Sequence, residues 1–317
     1  SVNLSAIYAT ETFSADYSGA SAKANNYNAG DGFKNSKVTG RVGHTIDLDE
    51  VGSSAYETSN QTLGFAFKRD NHLLEAKFGY QNLPNQLYPN QRMDMLDNEQ
   101  KRVNLRYLGQ FDWGNLEARA YHERVDQFMD FGADKRYWYG AASGGNTGVG
   151  GSGNGAPCGP TGTAACANGM PMYSEGKTTG ATAKAEVQLD NENLLRLGAE
   201  LQRYQLEDWW EPSGAMMRPN NFLNINNGER DRSALFAEVE TQLNQQWKTL
   251  VGLRYEHVST DAGDVAGYDA TNANNSFQLR DSTAFNAQNR QKTDHNWDAT
   301  VLWRYQTSEM LDIEIGA

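Results

Sequence analysis

The chain of 317 residues is 38% hydrophobic, 21% charged and 11% aromatic, and a polar or charged residue interrupts every apolar run well short of the roughly 18 residues a spanning helix needs. Its 15 Tyr, 12 Phe and 7 Trp are too many for a disordered polar chain, and a mean hydropathy of -0.73 is too low for a helical membrane protein. A net charge of -12 with scattered Lys and Arg repels a phosphate backbone and excludes nucleic acid as a partner.

The periodicity that remains is two, in stretches of about ten residues, as in strands whose two faces meet different surroundings; helical spacing is nearly absent. Twelve strands are expected, near residues 2–10, 13–27, 58–68, 72–82, 98–111, 115–130, 176–189, 194–207, 231–243, 247–259, 291–306 and 310–317. Residues 38–48 also alternate, through Val38, Val42, Ile46 and Leu48. Counting strand directions back from the turn at Asp112-Trp113-Gly114-Asn115 nevertheless places 28–57 in an extracellular loop with a small hairpin of its own. Further along, Thr179, Ala181, Ala183, Ala185, Val187 and Leu189 oppose Lys184, Glu186 and Gln188. The same contrast sets Leu195, Leu197, Ala199 and Leu201 against Arg196, Glu200 and Gln202, and sets Trp297, Ala299, Val301, Trp303 and Tyr305 against Asp298, Thr300 and Arg304. One face is apolar and the other charged.

Connections alternate in length. Short ones fall at Arg69-Asp70-Asn71, Asp112 to Asn115, Asp190 to Asn193, Asn244-Gln245-Gln246 and Thr307-Ser308-Glu309; long ones, rich in Gly, Asn, Pro and Ser, cover about 83–97, 132–175, 208–230 and 260–290. A transmembrane antiparallel β-barrel has this asymmetry, with tight periplasmic turns, long extracellular loops, apolar positions facing lipid and a polar interior. Residues 311–317 break off in mid-alternation, so the chain is read as part of a larger barrel, because an unpaired edge in lipid is costly. The two cysteines, Cys158 and Cys166, lie eight positions apart in a Gly/Pro/Ala-rich tract. They are read as a disulfide closing a small loop in an oxidising compartment, in preference to a metal pair, since neither a His nor a second pair flanks them.

The run Ser233-Ala234-Leu235-Phe236-Ala237-Glu238-Val239-Glu240, the strand Gly252-Leu253-Arg254-Tyr255-Glu256, the acidic run at 260–269, Leu197-Gly198-Ala199-Glu200 and residues 312–317 resemble the mid-barrel of TonB-dependent outer-membrane receptors. Arg92-Met93-Asp94-Met95, after a Pro/Asn/Gln-rich loop, is similar to the copper-receptor branch. The resemblance implies a monomer in outer-membrane lipid of a Gram-negative bacterium, about 12 of an expected 22 strands, with the plug ahead of Ser1 and the C-terminal strands lying outside the chain. It further implies import of a metal or metal chelate energised through TonB, with copper first and a siderophore second, and no cofactor beyond the copper ion as cargo. The rival readings are a passive channel and a barrel enzyme such as a protease or lipid-modifying protein.

Seven of the 8 methionines lie in or beside predicted extracellular loops, and Met93/Met95 and Met170/Met172 share a spacing that puts two thioethers on one side of an extended chain. Thioethers suit Cu(I), with Cys158, Cys166 or His122 as further candidates; the alternative is packing against aromatics at the rim. Trp209, Trp210, Tyr137, Trp138 and Tyr88 are candidates to enclose an organic ligand, the alternative for Trp209 and Trp210 being the aromatic girdle. No catalytic residue is proposed. The 5 His are dispersed, no HExxH or GxSxG occurs, and Glu186, Glu200, Glu238 and Glu240 fall on the face expected to line a wet lumen. The glycine-rich run at 144–155 lacks the Lys-Ser/Thr of a phosphate cradle.

Overall fold

The computed structural model describes the chain apart from residues 36, 38, 40–43, 92, 135–168, 215–216, 270, 272–275 and 309. Twelve strands follow in order: β1 (Val2–Ala9), β2 (Phe13–Ala24), β3 (Tyr56–Arg69), β4 (His72–Gln86), β5 (Asp94–Phe111), β6 (Gly114–Asp130), β7 (Met172–Gln188), β8 (Asn193–Trp210), β9 (Phe222–Gln242), β10 (Trp247–Asp261), β11 (Lys292–Ser308) and β12 (Leu311–Gly316). Each pairs antiparallel with its chain neighbours alone, giving one sheet in sequence order. All the tight turns lie at one end of the sheet and all the long connections at the other, the arrangement expected of a partial β-barrel.

The two faces differ as the alternation predicts. Leu201, Leu235, Val251, Leu253 and Trp297 share one face and are exposed, at 50 to 66%. Behind them the chain carries ion pairs across strands. Arg106 meets Glu75 at 3.3 Å and Glu117 at 2.9 Å, linking β4, β5 and β6. Arg196 donates to Glu238 at 2.7 Å and Glu240 at 3.0 Å and lies 3.3 Å from Glu186, and Lys248 adds a contact to Glu240. Arg254 reaches Glu200 at 2.8 Å and Glu256 at 3.1 Å. A soluble protein would bury the apolar face and hydrate the charged one; a barrel wall in lipid leaves the apolar face bare.

Two expectations are corrected. Residues Ser276–Asn286 of the connection after β10 form a helix, α1, where only loop was expected. None of its residues is buried, so it has no apolar stripe to announce it. Side chains hold it instead: Asn286 Oδ1 accepts from Val265 N and its Nδ2 donates to Val265 O, both at 2.9 Å, while Gln278 Oε1 accepts from Tyr268 N at 3.0 Å. Several strands also run further toward the loop end than the alternation indicated: β5 starts at Asp94, β8 ends at Trp210 and β9 starts at Phe222. A span needs only about 9 to 11 residues, and beyond that both faces of a strand are wet, so the pattern fades while the backbone ladder continues.

Residues 28–57 contain no strand among those described until Tyr56, but their pairing is that of a hairpin. Asn28 bridges Glu50, Ala29 N donates to Asp49 O at 2.8 Å, and Lys34 N donates to Leu48 O at 3.0 Å.

Candidate functional site

The loop end of the charged face is built first by polar clamps. Asn26, just past β2, accepts from Ser54 N and Ala55 N through Oδ1 at 2.9 Å and donates to Glu50 at 2.7 Å and Asp134 at 2.8 Å. Asp134 also accepts from Ser53 N at 2.8 Å. Asp94, fully buried at the start of β5, accepts from Ser53 Oγ and Tyr88 N, both at 2.8 Å. The connections after β2, β4 and β6 are thereby tied into one body. Lys34 lies beside it with Nζ buried and without a hydrogen-bond partner among the described residues; burial lowers its pKa against the pull of Glu50, Asp134, Asp47 and Asp49.

On this frame sits a row of side chains made by register. Met95 of β5 is directly opposite Met129 of β6, Met129 opposite Met172 of β7, Met172 opposite Trp210 of β8, and Trp210 opposite Phe222 of β9. Directly paired residues share a face, with Cβ atoms about 4.5 to 5.5 Å apart. Parity traced from the exposed Leu201 and the ion-paired Arg196 puts the row on the charged, lumenal face. Met95 is buried. The aromatic end continues: Trp210 meets Phe222 edge-on at 5.5 Å, and Phe222 meets Tyr268 at 5.4 Å. Tyr268 is buried, and its hydroxyl is held protonated far above the ordinary range, first by burial and then by the charge of Asp130. The indole Nε1 of Trp210 is buried with no partner among the described residues.

The methionine candidates separate accordingly. Met95 and Met172 belong to the row; Met93 and Met170 lie in coil just before β5 and β7, and Met170 N donates to Asp130 Oδ1 at 2.6 Å. Met129, present in the sequence reading only as one of seven rim methionines, is the residue that joins the other two. A β-bulge between Met95 and Asp97 makes the alignment. Without it Leu96 would face Met129, and Met95 would point to the other side.

The two tryptophans also separate. They do not extend beyond a strand end but close β8, so they point to opposite faces. Trp209 stacks on Tyr173 at 5.4 Å, and Tyr173 on Phe128 at 4.7 Å, forming a band on the apolar face. Trp209 therefore lies on the apolar face and Trp210 on the charged one. Tyr88 lies in the connection between β4 and β5, where its backbone helps hold Asp94. His122 of β6 is on the apolar face, 2.7 Å from Thr179 Oγ1 and away from the methionine row. Tyr137, Trp138, Cys158 and Cys166 lie outside the described residues, as does Met216.

Solved structures with this fold place the geometry in context. Over 97% of this chain and 40% of its own length, "Copper transporter OprC" is similar with a TM-score of 0.63 and 15% identity. The FrpB iron transporter from Neisseria meningitidis (F3-3 variant) is similar over 99% of this chain and 43% of its own, with a TM-score of 0.61 and 14% identity. Ferric citrate transporter FecA in the unliganded form gives 0.58 at 8% identity, covering 99% of this chain and 40% of that one. The chain thus spans about two fifths of the length of these structures. No curated relative matches it in sequence. The family model described as "TonB dependent receptor-like, beta-barrel" matches residues 4–306, and the chain belongs to that family.

Proposed function

We propose that the chain is barrel wall of a Gram-negative outer-membrane receptor that takes up a scarce metal or metal chelate with energy passed through TonB, copper being the first candidate cargo. The observation that carries this reading is the lumenal row of Met95, Met129 and Met172 at the loop end. Three neutral thioethers side by side offer soft donors to Cu(I) and little to Fe³⁺, Mg²⁺ or Ca²⁺. Their position at the mouth suits capture from outside, and the carboxylates further down are engaged by Arg106, Arg196 and Arg254. That engagement favours a solvated wall over acid/base chemistry for Glu200, Glu238 and Glu240.

The test is Cu(I) or Ag(I) binding by the full-length protein with Met95, Met129 and Met172 all changed to Leu. Loss of three thioethers at near-constant volume is expected to weaken binding by roughly 10²-fold or more while leaving the fold intact. Unchanged affinity would reject the row as a metal site. A second reading has its own observation, the indole N–H of Trp210, without a partner among the described residues, in an aromatic corner with Phe222 and Tyr268. Such a corner suits an organic chelate bearing an acceptor oxygen, and it predicts siderophore binding that survives the methionine changes.

A further inference from the structure

On the opposite, apolar face, β10 and β11 bring two histidines together. His257 and His295 are direct cross-strand partners, one row nearer the loop end than Tyr255 and Trp297. Their rings are 4.8 Å apart between centroids at 48°, and the two Nδ1 atoms face each other at 3.4 Å. Tyr255 Oη lies 2.6 Å from His295 Nδ1. The row below is apolar and aromatic, with Leu235, Tyr255 and Trp297; the row above is polar, with Asp231, Ser259 and Thr293. The pair therefore sits where the apolar band of the outer wall gives way to water or lipid headgroups.

Two groups contend for one position on His295. A neutral imidazole nitrogen offers either one N–H or one lone pair. If His295 Nδ1 accepts the Tyr255 hydroxyl proton, its lone pair is taken and His257 Nδ1 faces it with nothing to bond. If it accepts from His257 instead, the tyrosine hydroxyl is displaced. A cation between the rings satisfies both imidazoles by taking a lone pair from each, and the Tyr255 hydroxyl then gives up its bond to His295 Nδ1. The spacing fits: with metal–imidazole bonds of about 2.0 to 2.1 Å, a tetrahedral angle separates two donor nitrogens by roughly 3.3 to 3.4 Å.

We infer that His257 and His295 form a two-imidazole chelate for a borderline divalent transition ion, of the Zn²⁺, Ni²⁺ and Cu²⁺ class, on the outer wall at the loop-side lipid boundary, with Tyr255 Oη beside it. The site is on the other face of the sheet from the methionine row and takes a different class of ion, so it stands whether or not the uptake reading does. Rigid cross-strand placement makes the second imidazole an intramolecular ligand, which supplies the affinity a lone surface histidine lacks.

The experiment titrates Zn²⁺ into the full-length protein in detergent and records the Cu²⁺ electron paramagnetic resonance spectrum of the same preparation. The wild type is expected to bind one Zn²⁺ that His257→Gln or His295→Gln each weakens by roughly 10²-fold. The Cu²⁺ spectrum should show two equatorial nitrogens, reduced to one in either variant. Changing Met95, Met129 and Met172 to Leu should leave both readouts unchanged, so this result and the Cu(I) result fail separately. Both histidines face outward, and heat-modified gel mobility will report whether the variants are folded. Zn²⁺ affinity equal in the wild type and in the double variant, or a spectrum with a single nitrogen in the wild type, would overturn the inference.

Discussion

Asp94 shows how much of the loop end rests on single residues. It is fully buried, and its two oxygens accept from Ser53 Oγ and from Tyr88 N. Changing it to Ala takes the acceptor from the buried Ser53 hydroxyl, at a cost of about 1 to 3 kcal/mol, and from Tyr88 N. The expected outcome is loosening of 28–55 and 87–93 with the barrel strands retained, seen as new protease cleavage in those connections and unchanged strand content by circular dichroism. A protease pattern identical to wild type would show that the other clamps suffice. Little of this was legible in the sequence, because the donors come from afar: Asn26 meets Asp134 across 108 positions and Ser53 meets Asp94 across 41. Composition marked these stretches as polar loops, and polar loops carry no periodicity from which a partner can be read.

At the level of the element, β8 illustrates both what alternation reveals and where it stops. The Leu195 to Leu201 face and the Arg196 to Gln202 face are plain in the sequence because lipid and water select opposite side chains there. Toward its loop end the selection weakens, so Trp209 and Trp210 read as a pair in a loop although they project to opposite sides. The separation makes a prediction. Trp209→Ala removes one ring of the Phe128–Tyr173–Trp209 stack and should destabilise the protein by about 1 to 3 kcal/mol in lipid, measured by urea unfolding in vesicles, with ligand affinity kept. Trp210→Phe should do the reverse, leaving stability within about 1 kcal/mol and altering binding, if the indole N–H meets cargo. The bulge at Met95 belongs to the same lesson. Register carried from the tight turn after β5 opposes Leu96 to Met129, and one extra residue, silent in the sequence, exchanges the faces.

Across the whole molecule, the fold class, all twelve strands and the division into a turn end and a loop end were legible, since each follows from a regularity repeated along the chain. The helix α1 was not, having no buried face. The charged face unites the strands: Arg196 alone contacts carboxylates of β7 and β9, with Glu240 passed on to Lys248 of β10. Arg196→Leu leaves Glu186, Glu238 and Glu240 facing one another without their common cation. With the group partly exposed, the expected loss is about 1 to 2 kcal/mol, read from denaturant midpoints at low salt and smaller at high salt. A midpoint that does not move would show that the ladder is hydrated rather than cohesive.

Strand order that never departs from chain order also has a kinetic meaning. Every ladder closes over a hairpin or a single connection, so loop-closure entropy is met in small instalments and each new hairpin finds its template already standing. Such a wall can assemble like a zip, from any hairpin outward. Over evolutionary time it can lengthen by duplicating a hairpin, without any existing strand having to change its neighbour.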